Sequence, residues 1–323
     1  MSKEPTIRVE GVSKRYGEQF AVRGVDLALM PGECVAMVGH NGAGKSSLIK
    51  LMLGLTTPTE GRLTVLGGDP ASAAASAIRR QVGFLPENVA FHPSMTGRET
   101  LDFYARLKGV ATAGNPALFE RVGLEPAAVA RRVGTYSKGM RQRLALAQAL
   151  LGGPKVLFLD EPTTGLDPAL RQSFYEIVAS LRDAGTTVLL CSHALTELEG
   201  QADRVVVMSR GRKVADGSLA TLRGLARLPV RIRLTLADGD GDGDIDGLAR
   251  RIGEGAALTR LAGGVVELAC ANDDKIGLVR RIACDGPAVR DIEIVQPSLD
   301  EMYAHFLRRP DALGPDSLAE AAE

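Results

Sequence analysis

With 323 residues, 45% of them hydrophobic, the chain is long enough for a well-buried core and about two domains. Tryptophan is absent and aromatics make up 4%, so the core must be mostly aliphatic. The 39 basic residues equal the 39 acidic ones, which argues against nucleic acid as a partner, and no stretch approaches the roughly 20 apolar residues that a spanning helix needs. The balance is uneven: residues 1–220 hold 26 basic and 21 acidic side chains, and residues 221–323 hold 13 and 18. That shift marks a boundary near residue 220. The N-terminal Met-Ser-Lys-Glu-Pro-Thr has no apolar core and does not read as a signal peptide. Cys34, Cys191, Cys270 and Cys284 form no C-x-x-C pair and read as buried thiols in a reducing compartment.

In chain order, 7–12 alternates like a strand and breaks at Ser13-Lys14. A second alternating segment, 22–30, ends at the turn Pro31-Gly32. Residues 34–38 are a short apolar strand that runs into a glycine-rich loop, and 46–53 reads as helix. A further strand follows at 62–66. Helical periodicity returns at 97–107 and 138–151, with 109–116 and the Gly134 region as connections. Apolar strands at 156–159, 187–191 and 205–208 alternate with a helix at 168–181. This predicts a mostly parallel sheet covered on both faces. From 223–228 a smaller region begins, with strands at 230–236, 265–269 and 289–295. Helices are expected at 246–252, 275–282 and 299–307, the last N-capped by Ser298. Residues 310–323 read as a frayed tail. The run Asp238 to Asp246 invites a calcium loop, but an EF-hand started at Asp238 has Ala249 where a bidentate Glu is needed, so it reads as a solvated acidic turn.

Residues 39–46, Gly-His-Asn-Gly-Ala-Gly-Lys-Ser, fit the phosphate loop G-x-x-x-x-G-K-S/T. Strand, glycine loop and helix in that order supply the context the motif requires. Inward-pointing N–H groups and a helix N-terminus make a preorganised cradle for a polyphosphate. Gly39, Gly42 and Gly44 let the chain curl beside Asn41, Ala43 and Ser47. Lys45 can reach the β/γ-phosphates and Ser46 can ligate Mg²⁺. Asp160 ends an apolar strand, where an acid reaches Mg²⁺, and Glu161 beside it can polarise an attacking water. Tyr16 is either a base-stacking ring or a structural tyrosine, and His193 either a γ-phosphate contact or a plain surface histidine.

Five motifs in fixed order carry a resemblance: the loop, Tyr136-Ser137-Lys138-Gly139-Met140, the segment 156–161, Gly165-Leu166-Asp167 and Ser192-His193. Over roughly residues 5–220 the chain resembles the nucleotide-binding subunits of ABC transporters. The resemblance implies a P-loop NTPase of α/β class with a helical signature subdomain near 88–152 and Mg²⁺-dependent ATP hydrolysis; beyond it, the order strand, helix, strand, helix, strand reads as a small α+β accessory domain at 221–309. It places Tyr16 at the adenine, Ser137, Lys138 and Gly139 on the signature, Asp160 and Glu161 on Walker B and the catalytic base, Asp167 on the D-loop and His193 on the switch. Lys45, Glu161 and His193 are thereby the catalytic set, and Ser46, Glu87 and Asp160 the Mg²⁺ set. Two departures stand out. Glu87 occupies the position of the Q-loop glutamine and cannot donate a hydrogen bond when ionised. Lys138 replaces a signature glycine and meets either a polyphosphate or solvent.

Residues 83–109, 135–143 and 297–303 further resemble the ATPase of the copper-processing system that matures nitrous-oxide reductase. The partners so implied are a second copy in a head-to-tail dimer, membrane permease subunits and, through them, a periplasmic β-helical protein. The implied location is the cytoplasmic face of a bacterial inner membrane. The family's pattern also puts permease docking on 84–110, whose apolar members are Phe84, Val89, Phe91, Met95 and Phe103. The ATPase of a drug, lipid or polysaccharide exporter shares the same core and is the alternative.

Overall fold

Val156–Asp160 (β6) is buried at every position, and so are Cys34–Val38 (β3) and Thr187–Ser192 (β7). Strands apolar on both faces belong inside a covered parallel sheet. The computed structural model, which describes residues 4–73, 75–193, 198–236, 257–262, 265–285 and 289–308, places them there. With Val82–Leu85 (β5), Arg204–Ser209 (β8) and Arg212–Gly217 (β9) they form a six-stranded sheet of order β5-β6-β7-β3-β8-β9. Every pairing is parallel except β8 with β9.

A second sheet, of order β2-β1-β4, is antiparallel: Ile7–Tyr16 (β1) pairs with Gln19–Leu29 (β2) and with Glu60–Val65 (β4). The alternation expected for 7–12 and 22–30 reflects this two-sided environment. The strand does not break at Ser13-Lys14; it continues to Tyr16 through register shifts that bend it. Val35, Met37, Phe158, Leu189, Cys191, Val206 and Met208 form one face of the parallel sheet. They share a core with Ile7, Leu29 and Val65 of the antiparallel sheet and with Leu48, Ile49 and Met52 of helix Lys45–Met52 (α1).

Helices Ala75–Arg80 (α2), Gly97–Lys108 (α3), Asn115–Arg121 (α4), Pro126–Val129 (α5), Lys138–Ala149 (α6) and Pro168–Asp183 (α7) complete this unit. Thr96 and Glu99 close a capping box at the start of α3: the Glu99 N–H donates to Thr96 Oγ1 at 3.2 Å, and the Thr96 N–H to Glu99 Oε2 at 2.8 Å. The Thr96 N–H and the Thr96 hydroxyl, both donating to the Glu99 carboxylate, hold that carboxyl below its ordinary pKa. Residues 109–116 are not a plain connection, because a 3₁₀ turn at Thr112–Gly114 leads into α4, with a proline in its first turn.

The chain divides after Ser218. The second unit has helix Leu219–Ala226 (α8), Val230–Leu236 (β10), Ala257–Arg260 (β11), Val265–Cys270 (β12), helix Lys275–Asp285 (α9), Val289–Val295 (β13) and helix Leu299–Arg308 (α10). Its sheet is antiparallel, of order β11-β12-β10-β13. Val230, Ile232 and Leu234 alternate into a core with Leu268, Leu278 and Ile282. On the opposite face Arg233 bridges Glu267 and Glu293. Ser298 and Glu301 form a capping box on α10. The acidic run 238–246, the helix expected at 246–252 and the tail 310–323 lie outside the described residues.

Candidate nucleotide site

Parallel register sets the site. Val38 stands opposite Ser192, and Asp160 opposite Cys191. The loop after β3, Glu161 after β6 and His193 after β7 therefore emerge side by side, at the carboxyl ends of three adjacent strands. Open α/β sheets bind ligands at this edge.

The loop closes on its own backbone. Gly44, the N-cap of α1, has φ 105°, and a Cβ there would collide with the Ala21 carbonyl. At Gly39 a Cβ would come within 2.7 Å of the Met208 carbonyl oxygen. The Lys45 ammonium folds back to the Gly39 carbonyl and lies 3.5 Å from the His40 carbonyl oxygen and 3.9 Å from Glu161 Oε1. Lys45 and Glu161 are both buried.

Glu161 is held in the left-handed region, φ 49°, where side chains other than glycine are strained. Its N–H donates to the Cys191 carbonyl at 2.9 Å. Its Oε2 lies 2.7 Å from His193 Nδ1 and accepts the His193 N–H at 3.3 Å. Burial raises the pKa of the neighbouring Asp160, a hydrogen bond with Ser46 opposes the shift, and the Glu87 charge adds to it. The three oxygen-bearing residues expected to hold Mg²⁺, Ser46, Glu87 and Asp160, line one cleft. A hydroxyl and two carboxylates are oxygen donors of the kind a hard divalent cation takes.

A cleft of about 860 Å³ joins Tyr16 to Gly39's neighbours Asn41, Gly42, Ala43 and Gly44, to Lys45, Ser46 and Ser47, and to Glu87, Asp160 and Glu161. Tyr16 is 51% exposed at one end, with Lys14 Nζ 5.0 Å from its ring centroid. Gln19, Phe20, Ala21 and His40 also line the cleft. Gln19, Phe20 and Ala21, the first residues of β2, belong to no motif, so nothing in the sequence marks them. Ser137, Lys138, Gly139 and Asp167 do not line it. Ser137 N-caps α6, accepting the Met140 N–H at 3.2 Å, and Asp167 N-caps α7, accepting the Leu170 N–H at 3.0 Å.

The sequence model described as ABC transporter matches residues 22–164. The daunorubicin resistance ATP-binding protein DrrA3 of Streptomyces coeruleorubidus is 36% identical over 319 residues, covering 94% of this chain and 96% of the relative. The Nod factor export ATP-binding protein I of Burkholderia thailandensis is 42% identical over 226 residues, 69% of this chain and 73% of the relative. Among solved structures, an ATP-binding subunit of an ABC transporter superposes with a TM-score of 0.63 at 31% identity, covering 68% of this chain and 92% of the other. On this similarity, and with the phosphate loop and its strand-end carboxylates in place, the chain belongs to the ABC transporter family as an ATP-binding, ATP-hydrolysing cassette.

Proposed function

We propose that this chain is the ATPase subunit of an exporter, working with Mg²⁺ as a head-to-tail dimer on permease subunits at the cytoplasmic face of a bacterial inner membrane. The observation that carries the chemistry is the convergence of the phosphate loop, Asp160, Glu161 and His193 on adjacent strand ends. Export as the coupled task is supported by the drug-resistance and Nod factor export relatives. The loop N–H groups and Lys45 take the phosphates. Ser46, Asp160 and Glu87 would hold Mg²⁺, which when bound would supply positive charge against the phosphoryl oxygens. Glu161 accepts the proton of the attacking water, while His193 orients the carboxylate. Ser137 and Gly139 of one subunit meet the nucleotide of the other.

The permease-docking surface belongs to a groove of about 770 Å³ lined by Leu53, Val82, Phe84, Tyr104, Leu107 and Lys108. Of the apolar residues expected to dock, Phe84 lines it, and Phe91 and Phe103 pack edge-on against Tyr104. Val89 and Met95 do not line it. Burial pushes Lys108 down to about 8, and its ammonium donates to the Val82 and Leu151 carbonyls. Leu107 is 72% exposed, so Leu107→Asp leaves folding intact. It is expected to lose co-purification with the permease; full recovery of the complex would remove the groove from the interface.

Residues 83–109, 135–143 and 297–303 favour a second reading, in which the permease serves copper–sulfide centre assembly together with a periplasmic β-helical protein. A strain lacking this chain separates the two. Export predicts loss of tolerance to a drug, or of secretion of an exported product, with nitrous-oxide reductase fully active. The copper reading predicts reductase with its catalytic copper–sulfide site empty and export unchanged.

A further inference from the structure

Helix α6 starts at the signature residues and is pinned to the Glu161 turn of the same chain. The Gln142 carboxamide is buried on α6, and its Nε2 donates to the Pro162 carbonyl oxygen at 2.6 Å. Pro162 directly follows Glu161 and is itself buried. Two more approaches join the same segments. A Cβ at Gly139 would lie 2.6 Å from Leu170 Cδ1, and one at Gly165 would collide with Lys138 Nζ. Positions 138, 139 and 142 of α6 thus meet residues 162–170 at three places. One of these is a hydrogen bond to the peptide next to the strained residue.

A non-glycine residue at φ 49° persists only where its surroundings over-determine it. At Glu161 the Cys191 carbonyl fixes the N–H on one side, and His193 fixes the carboxylate. Pro162 locks its own φ, so the orientation of its carbonyl sets the exit from the turn. Within the turn the Thr164 N–H donates to the Glu161 carbonyl and the Leu166 N–H to the Thr163 carbonyl, and from α6 the Gln142 carboxamide N–H holds the Pro162 carbonyl itself.

We propose that Gln142 is a positioning residue for Glu161: by holding the Pro162 carbonyl it keeps the Glu161 carboxylate where it can take the proton of the attacking water. The proposal rests on Glu161 being the general base. Gln142 touches no part of the cleft, and its effect passes through the backbone of residues 161–162.

The test uses the permease complex with three variants. Gln142→Met keeps the length and removes the donor. Gln142→Glu keeps the shape and donates only when protonated. Glu161→Gln controls for the general-base reading. A misplacement approaching 1 Å costs up to about 10²-fold, so kcat of Gln142→Met is expected to fall roughly 10- to 100-fold, with the KM for ATP within about twofold and the melting temperature preserved. The kcat of Gln142→Glu, relative to wild type, is expected to recover as the pH falls from about 8 to about 6, since a carboxyl facing a carbonyl protonates early and donates again. Wild-type kcat in Gln142→Met, with Glu161→Gln inactive, overturns the inference and leaves the general base standing. Parallel losses in kcat, ATP affinity and melting temperature make Gln142 a packing residue and overturn it as well. An active Glu161→Gln removes the general base, and the inference with it.

Discussion

Glu161→Gln is expected to lower steady-state phosphate release by roughly 10² or more while ATP binding stays within about twofold of wild type. The replacement is isosteric and keeps an oxygen that can accept the His193 N–H, so the turn after β6 is preserved. What is lost is the group that takes the proton. Lys45 and Glu161 lie 3.9 Å apart, both buried, and Lys45 already contacts the Gly39 and His40 carbonyls. Removing the carboxylate therefore leaves the ammonium with partners, and the phosphates supply the missing charge when ATP binds. Phosphate release and nucleotide binding, measured on the same preparation, check both halves. Turnover near the wild-type rate would remove Glu161 as the base.

In the Glu161→Gln background, ATP is expected to convert the isolated subunit from monomer to dimer; with ATP at about a hundred times its dissociation constant for the dimer, each of the two sites tightens association by up to roughly 10², about 10⁴ together. The motivation is geometric. The cleft of one chain lacks Ser137 and Gly139, so a nucleotide in it is contacted by one side only. A second chain completes the site only when nucleotide is present, which couples association to binding. Ser137→Asp in the same background is the informative control. Asp is as good an N-cap as Ser, so α6 keeps the bond from the Met140 N–H. Its carboxylate would face a polyphosphate across the interface, and the dimer should be lost. Light scattering with and without ATP reads both variants. A Glu161→Gln subunit that stays monomeric at saturating ATP, or a Ser137→Asp variant that dimerises normally, would refute the composite site.

The phosphate loop was legible because its chemistry is local. Gly39, Gly44, Lys45 and Ser46 lie within eight residues, and the strand before and helix after them are short-range patterns. The Ser298 cap on α10 was legible for the same reason, being one turn of hydrogen bonding between neighbours in sequence. Strands β5, β9 and β11 and helix α2 were not anticipated. Each has only four to six residues, too few for a period to emerge, and each is stabilised by what it pairs with. Gln19, Phe20 and Ala21 belong to no motif and reach the cleft because the hairpin of β1 and β2 folds over the loop end.

By itself the sequence determined that a polyphosphate is bound, that carboxylates end an apolar strand, and that a second region begins near residue 220. Local turn chemistry, hydrophobic period and composition do not depend on where the rest of the chain goes. Tertiary structure alone decided the strand order β5-β6-β7-β3-β8-β9. That order sets Val38 against Ser192 and Asp160 against Cys191, and so places His193 on Glu161. It also decided that Gln142 meets Pro162, and that the signature residues lie away from the cleft of their own chain. The reason is that parallel pairing joins segments through long crossovers. The register of one strand on another is set by burial of both faces at once, a property of the assembled sheet and not of any one segment.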